Sequence, residues 1–114
     1  MSRNLRLYFE DILISCDKIL RYSKGLDYKS FMGDELRVDA TLRNLQIIGE
    51  AVKQVPPEMR AKYPRVEWRK IAGLRDILAH AYFSLEDEMI WDIIQTKIIP
   101  LKSEVETIIA QEFE

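Results

Sequence analysis

Between residues 5 and 20, apolar side chains fall at Leu5, Tyr8, Phe9, Ile12, Leu13, Cys16, Ile19 and Leu20, at offsets of 3, 4, 7, 8, 11, 14 and 15 from the first. That is the period of one face of an α-helix, not the two-residue alternation of a strand. A chain that begins this way must bury the stripe against another layer. The remaining segments supply more helices. Gly25 reads as a stop, and Asp27 can cap a short turn through Phe31. Asp34 reads as the N-cap of a second long helix with Val38, Leu42, Leu45, Ile48, Val52 and Val55 on one face, ended by Pro56 and Pro57. One helical turn is expected from Glu58 to Lys62. A third helix, Val66 to Tyr82, is apolar almost all round (Trp68, Ile71, Ala72, Leu74, Ile77, Leu78, Ala79, Ala81), which predicts a place in the middle of a bundle. A last helix runs from about Leu85 to Phe113, opens on Glu86, Asp87 and Glu88, and should be kinked or interrupted by Pro100. No strand-like alternation, repeat or low-complexity segment intervenes. The expectation is an all-α, up-down four-helix bundle with an additional short helix, one domain over residues 1–114.

Composition narrows the function classes. Of 114 residues, 47% are hydrophobic, enough for a core, and the formal net charge is −2. With a pI near 5.5, this excludes a bulk-basic nucleic-acid binder and a polybasic membrane-surface protein. One cysteine cannot form an internal disulfide and suits a reducing compartment. Neither a leader-like start nor a long apolar run appears, so a cytoplasmic location is expected. The glycines, at 25, 33, 49 and 73, are too scattered for a phosphate loop. A lone Cys16 and a lone His80 supply no structural zinc site. No Glu lies three residues before the His, and no Gly-x-Ser-x-Gly elbow exists; Ser84 reads as an N-cap. No metal or cofactor is expected.

The third helix carries an anomaly. Its stripe runs Trp68, Ile71, Ala72, position 75, Leu78, Ala79, position 82, and positions 75 and 82 hold Arg75 and Tyr82. A guanidinium keeps its proton, so burying it requires a carboxylate, a phosphate or a wet cleft. Arg75 can pair with Asp76, Glu50 or an acid on another helix, or it can face a ligand. His80, titratable near neutrality, lies five residues on, and on an ideal helix the two point about 140° apart. One monomer does not obviously bring them together; a bend or a symmetric partner would be needed.

The stretch Arg75-Asp76-Ile77-Leu78-Ala79-His80-Ala81-Tyr82 resembles the signature of HepT-like proteins, a branch of the HEPN superfamily: Arg, four residues, His, one residue, Tyr. Asn44-Leu45-Gln46-Ile47-Ile48-Gly49-Glu50-Ala51 is similar to that family's second helix. Pro64 through Trp68, Ile71 to Asp76, Tyr82-Phe83 and the run from Glu86 to Trp91 continue the likeness, from about residue 5 to residue 108. The resemblance implies a helical homodimer whose Arg and His from two protomers line a shared cleft at the two-fold interface. It implies a metal-independent endoribonuclease toxin of a type VII toxin–antitoxin pair. The implied partner is a cognate minimal nucleotidyltransferase antitoxin that transfers AMP from ATP onto the motif tyrosine. On these positions Arg75 and His80 would be catalytic, Asp76 a supporting polar residue, and Tyr82 the modification site.

Those residue types suit that chemistry. Cleavage without a metal uses the RNA's own 2′-hydroxyl, and an imidazole with a pKa of about 6.5 can take its proton or protonate the leaving oxygen. A guanidinium offers paired donors to a phosphate gaining charge. Six bases (Arg60, Lys62, Arg65, Arg69, Lys70, Arg75) against three acids (Glu58, Glu67, Asp76) give residues 58–76 a local balance of +3 that could track an RNA backbone or form a solvated face. A second class stays open beside the enzyme: a non-catalytic helical protein that binds nucleotide or scaffolds a nucleotidyltransferase.

Overall fold

The computed structural model describes residues 4–80 and 86–114, with residues 75–80 placed by their backbone alone. Its elements are α1 (Leu5–Ser23), α2 (Tyr28–Met32), α3 (Glu35–Lys53), α4 (Pro57–Lys62), α5 (Trp68–His80), α6 (Asp87–Thr96) and α7 (Ile98–Phe113). The described residues contain no strand, and the fold is all-α and HEPN-like as expected.

The local signals act where the side chains place them. The Asn4 side chain accepts from the Arg6 amide and opens α1; Asp27 accepts from Ser30 and opens α2; Asp34 accepts from Arg37 and opens α3. The bond from Ser30 holds the Asp27 carboxyl below its usual range. Gly25 takes a left-handed φ of 75°, which a side chain would strain, and the turn after α1 depends on it. Helix α3 stops at Lys53, two residues short of Val55, because the residue before a proline is pushed out of helical geometry. Val55 is still buried.

The last segment is interrupted near Pro100, as one of the two expected outcomes, and forms two helices. Pro100 is the third residue of α7, where a missing amide is tolerated, and the chain breaks at Lys97 just before it. The expected Ser84 cap lies outside the described residues; the described helix starts at Asp87 with Glu86 at its N-cap position.

Helices α1, α3 and α7 enclose the core. Phe9, Ile12, Cys16 and Ile19 of α1 meet Leu45, Ile48 and Val52 of α3 and Leu101, Val105 and Ile108 of α7. The α1 stripe read from the sequence is thus the buried face, with Leu5, Tyr8, Leu13 and Leu20 flanking it. Helix α1 runs antiparallel to α7: Arg6 pairs with Glu114 at 3.0 Å at one end, and Lys102 with Asp17 at 2.8 Å nearer the other. Burial pushes the Cys16 thiol up to about 12, so this cysteine behaves as a small apolar residue.

One expectation is overturned. Helix α5 is not central; it lies at the edge, packed on α3, while α3 also contacts α1 and α2. Its Ile71 and Ala72 remain half-buried against the core. An apolar circumference does not by itself decide position; here it leaves a face of α5 without a full layer over it.

Candidate functional site

The α3–α5 connection fixes where α5 can go. Arg60 turns inward: its Nε donates to the Val55 carbonyl at 3.0 Å and its Nη2 to the Val52 carbonyl at 2.9 Å, satisfying acceptors at the end of α3. The Trp68 indole N–H donates to the Tyr63 carbonyl at 3.0 Å, and Val66, Trp68 and Tyr63 are buried. The Tyr63 hydroxyl donates to Glu112 Oε2 at 2.7 Å and lies 2.9 Å from Gln111 Oε1, which anchors the connection to the end of α7. Burial and the Glu112 charge push the Tyr63 phenol up to about 12, while that hydrogen bond and one from Lys62 hold the Glu112 carboxyl below its usual range. Helix α5 therefore leaves from a fixed base and returns along α3.

Its inner side opens on a groove of about 620 Å³. Leu45 and Ile48 of α3 form part of the lining, with Ile71 and Leu74 of α5 and Ile93, Ile98 and Leu101 from α6 and α7. Arg65, Lys70, Glu67 and Lys97 stand at its edge. Glu67 bridges it, pairing with Lys70 at 2.9 Å and with Lys97 at 3.2 Å, and the two cations hold its carboxyl low. Gly73 sits mid-helix on α5 with nothing within 4 Å of where a Cβ would project.

The basic stretch is divided by these contacts. Arg60 supports α3, and Lys62 pairs with Glu112 at 3.2 Å. Arg65, Arg69 and Lys70 are exposed around the start of α5, where a polyanion can reach them. The acidic residues Glu86, Asp87, Glu88 and Asp92 are exposed on and before α6.

The motif lies on the far part of α5. Residues 75, 76 and 80 belong to one α-helix that continues through His80, so Arg75 and His80 occupy faces about 140° apart, separated by about 7.5 Å along the axis. Tyr82 lies outside the described residues. Two polar residues that motif and spacing did not single out are buried on α3, Thr41 and Asn44. A signal was present: at seven and four residues before Ile48, both share the spacing of the buried stripe.

Known proteins similar to this chain bear on the site. Residues 12–108 match the sequence model of the Ribonuclease HepT-like family. The chain belongs to that family. A candidate RNase of Caldanaerobacter subterraneus subsp. tengcongensis is 40% identical over 107 residues, covering 94% of this chain and 96% of that one. A candidate RNase of Methanocaldococcus jannaschii is 36% identical over 108 residues, covering 95% and 93%. A protein of Thermococcus cleftensis named as a probable ribonuclease HepT is 33% identical over 106 residues, covering 93% and 96%. No solved structure matches at a significant level. Membership of the HepT-like family marks the chain as an RNA-cleaving enzyme, with RNA as the polymer its site must accept. Among the described residues, no helix is long and apolar enough to cross a membrane.

Proposed function

We propose that this HepT-like chain is a metal-independent endoribonuclease toxin of a type VII pair, acting in the cytoplasm as a homodimer whose cleft draws Arg75 and His80 from both protomers. One observation carries the reading: α5 stays helical through His80, so the two residues leave one helix on faces about 140° apart and cannot converge on one phosphate from a single chain. A two-fold partner presenting its own α5 supplies the missing half. The half-buried apolar residues of α5 and the open space over Gly73 are consistent with a second helix lying close.

In the reaction, the 2′ oxygen attacks phosphorus as the P–O5′ bond breaks, giving a cyclic phosphate and a 5′-hydroxyl end. The His80 imidazole takes the 2′-hydroxyl proton, and the imidazolium so formed gives a proton to the departing 5′ oxygen. Arg75 holds the phosphate oxygens as their charge grows. Asp76 supports the polar surroundings of the cleft. Control comes from a cognate nucleotidyltransferase antitoxin: the Tyr82 oxygen attacks the α-phosphorus of ATP, pyrophosphate leaves, and the bound AMP places bulk and negative charge by the cleft.

The test is RNA cleavage in EDTA by wild type, Arg75→Ala, His80→Ala and a mixture of the two variants after subunit exchange. Each variant alone should be inactive. The mixed dimer should recover activity, because its shared cleft receives an intact Arg75 from one chain and an intact His80 from the other. A mixture as inactive as its components removes the shared cleft. Incubation with the antitoxin and ATP should add one AMP mass to wild type and none to Tyr82→Phe.

A further inference from the structure

Two lysines from different elements converge on one carboxylate at the mouth of the groove. Lys70 is the third residue of α5, and Lys97 stands at the junction of α6 and α7. Lys70 Nζ meets Glu67 Oε2 at 2.9 Å and Lys97 Nζ meets Glu67 Oε1 at 3.2 Å, one lysine on each carboxylate oxygen. The Lys70 side chain is 81% exposed and that of Lys97 56%. Ion pairs at such exposure add little to stability, so an incoming anion can replace Glu67 at small cost.

The surrounding charge favours that exchange. Arg65 lines the same mouth and Arg69 is exposed beside it, so four cations stand there against two carboxylates, Glu67 and Glu104. Arg69 and Lys70 also occupy the first turn of α5, where the helix dipole disfavours cations, and no acid within that turn offsets them. Bound negative charge relieves both repulsions. Position 70 precedes position 75 by five residues on one continuous helix, about 7.5 Å along its axis. RNA carries a phosphate at every nucleotide, so a strand whose scissile phosphate sits at Arg75 can bring a flanking phosphate to the start of α5.

We propose that Lys70 and Lys97 form a subsite for an RNA phosphate flanking the cleaved bond, and that Glu67 holds their ammonium groups in place until the strand displaces it. This rests on Arg75 being the cation at the scissile phosphate. The Glu67 carboxylate occupies the position of two phosphate oxygens, one to each lysine. The subsite binds and aligns the strand and makes no covalent change. A lysine ammonium is a point-charge donor, suited to a backbone phosphate whatever base it carries.

The test measures affinity in EDTA by fluorescence anisotropy of a labelled single-stranded RNA oligonucleotide of mixed sequence. The full-length chain carries His80→Ala, so that it binds without cutting. Adding Lys70→Gln or Lys97→Gln should raise Kd about threefold or more, and the double variant should reduce the slope of log Kd against log salt by about 0.7, the share of one single-strand phosphate. Glu67→Gln should lower Kd by about twofold or more, because no carboxylate then competes for the lysines. Glu35→Gln, exposed at the end of α3 far from the connection to α5, measures the effect of net charge alone and should move Kd less than Glu67→Gln. Circular dichroism checks folding, and the matching Ala variants replace any Gln variant that does not fold. Lysine variants with the parent's affinity and salt slope overturn the proposal. So does a Glu67→Gln protein that binds no more tightly than Glu35→Gln, or a parent that binds no RNA. The underlying reading fails separately, and visibly, if Arg75→Ala alone cleaves RNA like wild type.

Discussion

Helices α1 and α5 carry comparable apolar stripes and use them differently. Phe9, Ile12, Cys16 and Ile19 on α1 are completely buried between α3 and α7. Ile71 and Leu74 on α5 line a groove instead, and Gly73 beside them has empty space over it. The base of α5 is firmly tied through Arg60, Tyr63 and Trp68. The deepest apolar burial is on α1, and the proposed catalytic pair Arg75 and His80 sits on α5, which packs chiefly on α3. A surface left open by the single chain is where a substrate or a second copy can enter.

Substitutions on the two helices and at their supports put this contrast at risk. His80→Ala should lower RNA cleavage by about 10²–10⁴-fold, the range for losing an acid–base group, with little change in melting temperature. A variant that instead unfolds would place His80 on the stability side. Phe9→Ala should cost about 3–5 kcal/mol in urea unfolding, the range for emptying a packed aromatic site, against a much smaller loss for Leu74→Ala. Equal losses at the two positions would erase the distinction between the helices.

Arg60→Ala should cost about 1–3 kcal/mol, because two carbonyls at the end of α3 lose a charged donor. It should also loosen the base of α5, readable as faster amide exchange near Trp68. Gly73→Ala should stabilise the isolated chain by about 0.5–1 kcal/mol, since a mid-helix glycine has no local justification where a Cβ meets nothing. If a partner helix approaches there, the same change should weaken self-association by analytical ultracentrifugation.

The smallest effects lie at the pH extremes. Glu112 titrates below its unfolded value, so its contribution is present above about pH 4.3 and disappears as pH falls through the folded value. Tyr63 has the opposite sense: its folded pKa is raised to about 12, so its contribution holds below about pH 10 and is lost on the way to 12. Glu112→Gln should flatten the acid limb of the unfolding curve, and Tyr63→Phe the alkaline limb. A limb that keeps its slope in the matching variant would assign it to other groups.

Much of the helix inventory was legible in the chain. Asp27 and Asp34 announced helix starts through caps the structure contains, and Pro56 announced an end to within two residues. The α1 stripe named its buried face residue by residue. The motif on α5 was legible as well, because Arg75 and Tyr82 interrupt an apolar pattern at stripe positions. Less visible were the separation of α6 from α7 at Lys97, the inward turn of Arg60, and the buried acceptors Thr41 and Asn44. Arg60 read as one more cation in a basic stretch because its partners are carbonyls, which no residue letter reveals.

That this chain is helical, where most of its helices begin and end, and which helix bears the Arg and His of the HepT-like motif were all written in the order of its residues. Those are consequences of local periodicity and capping, set within a few residues along the chain. The edge position of α5, the groove between it and α6–α7, and the burial of Thr41 and Asn44 on α3 came from the packing of the helices alone. An apolar stripe states that a face must be covered. Which neighbour covers it, and where coverage stops, depends on contacts between segments far apart in sequence.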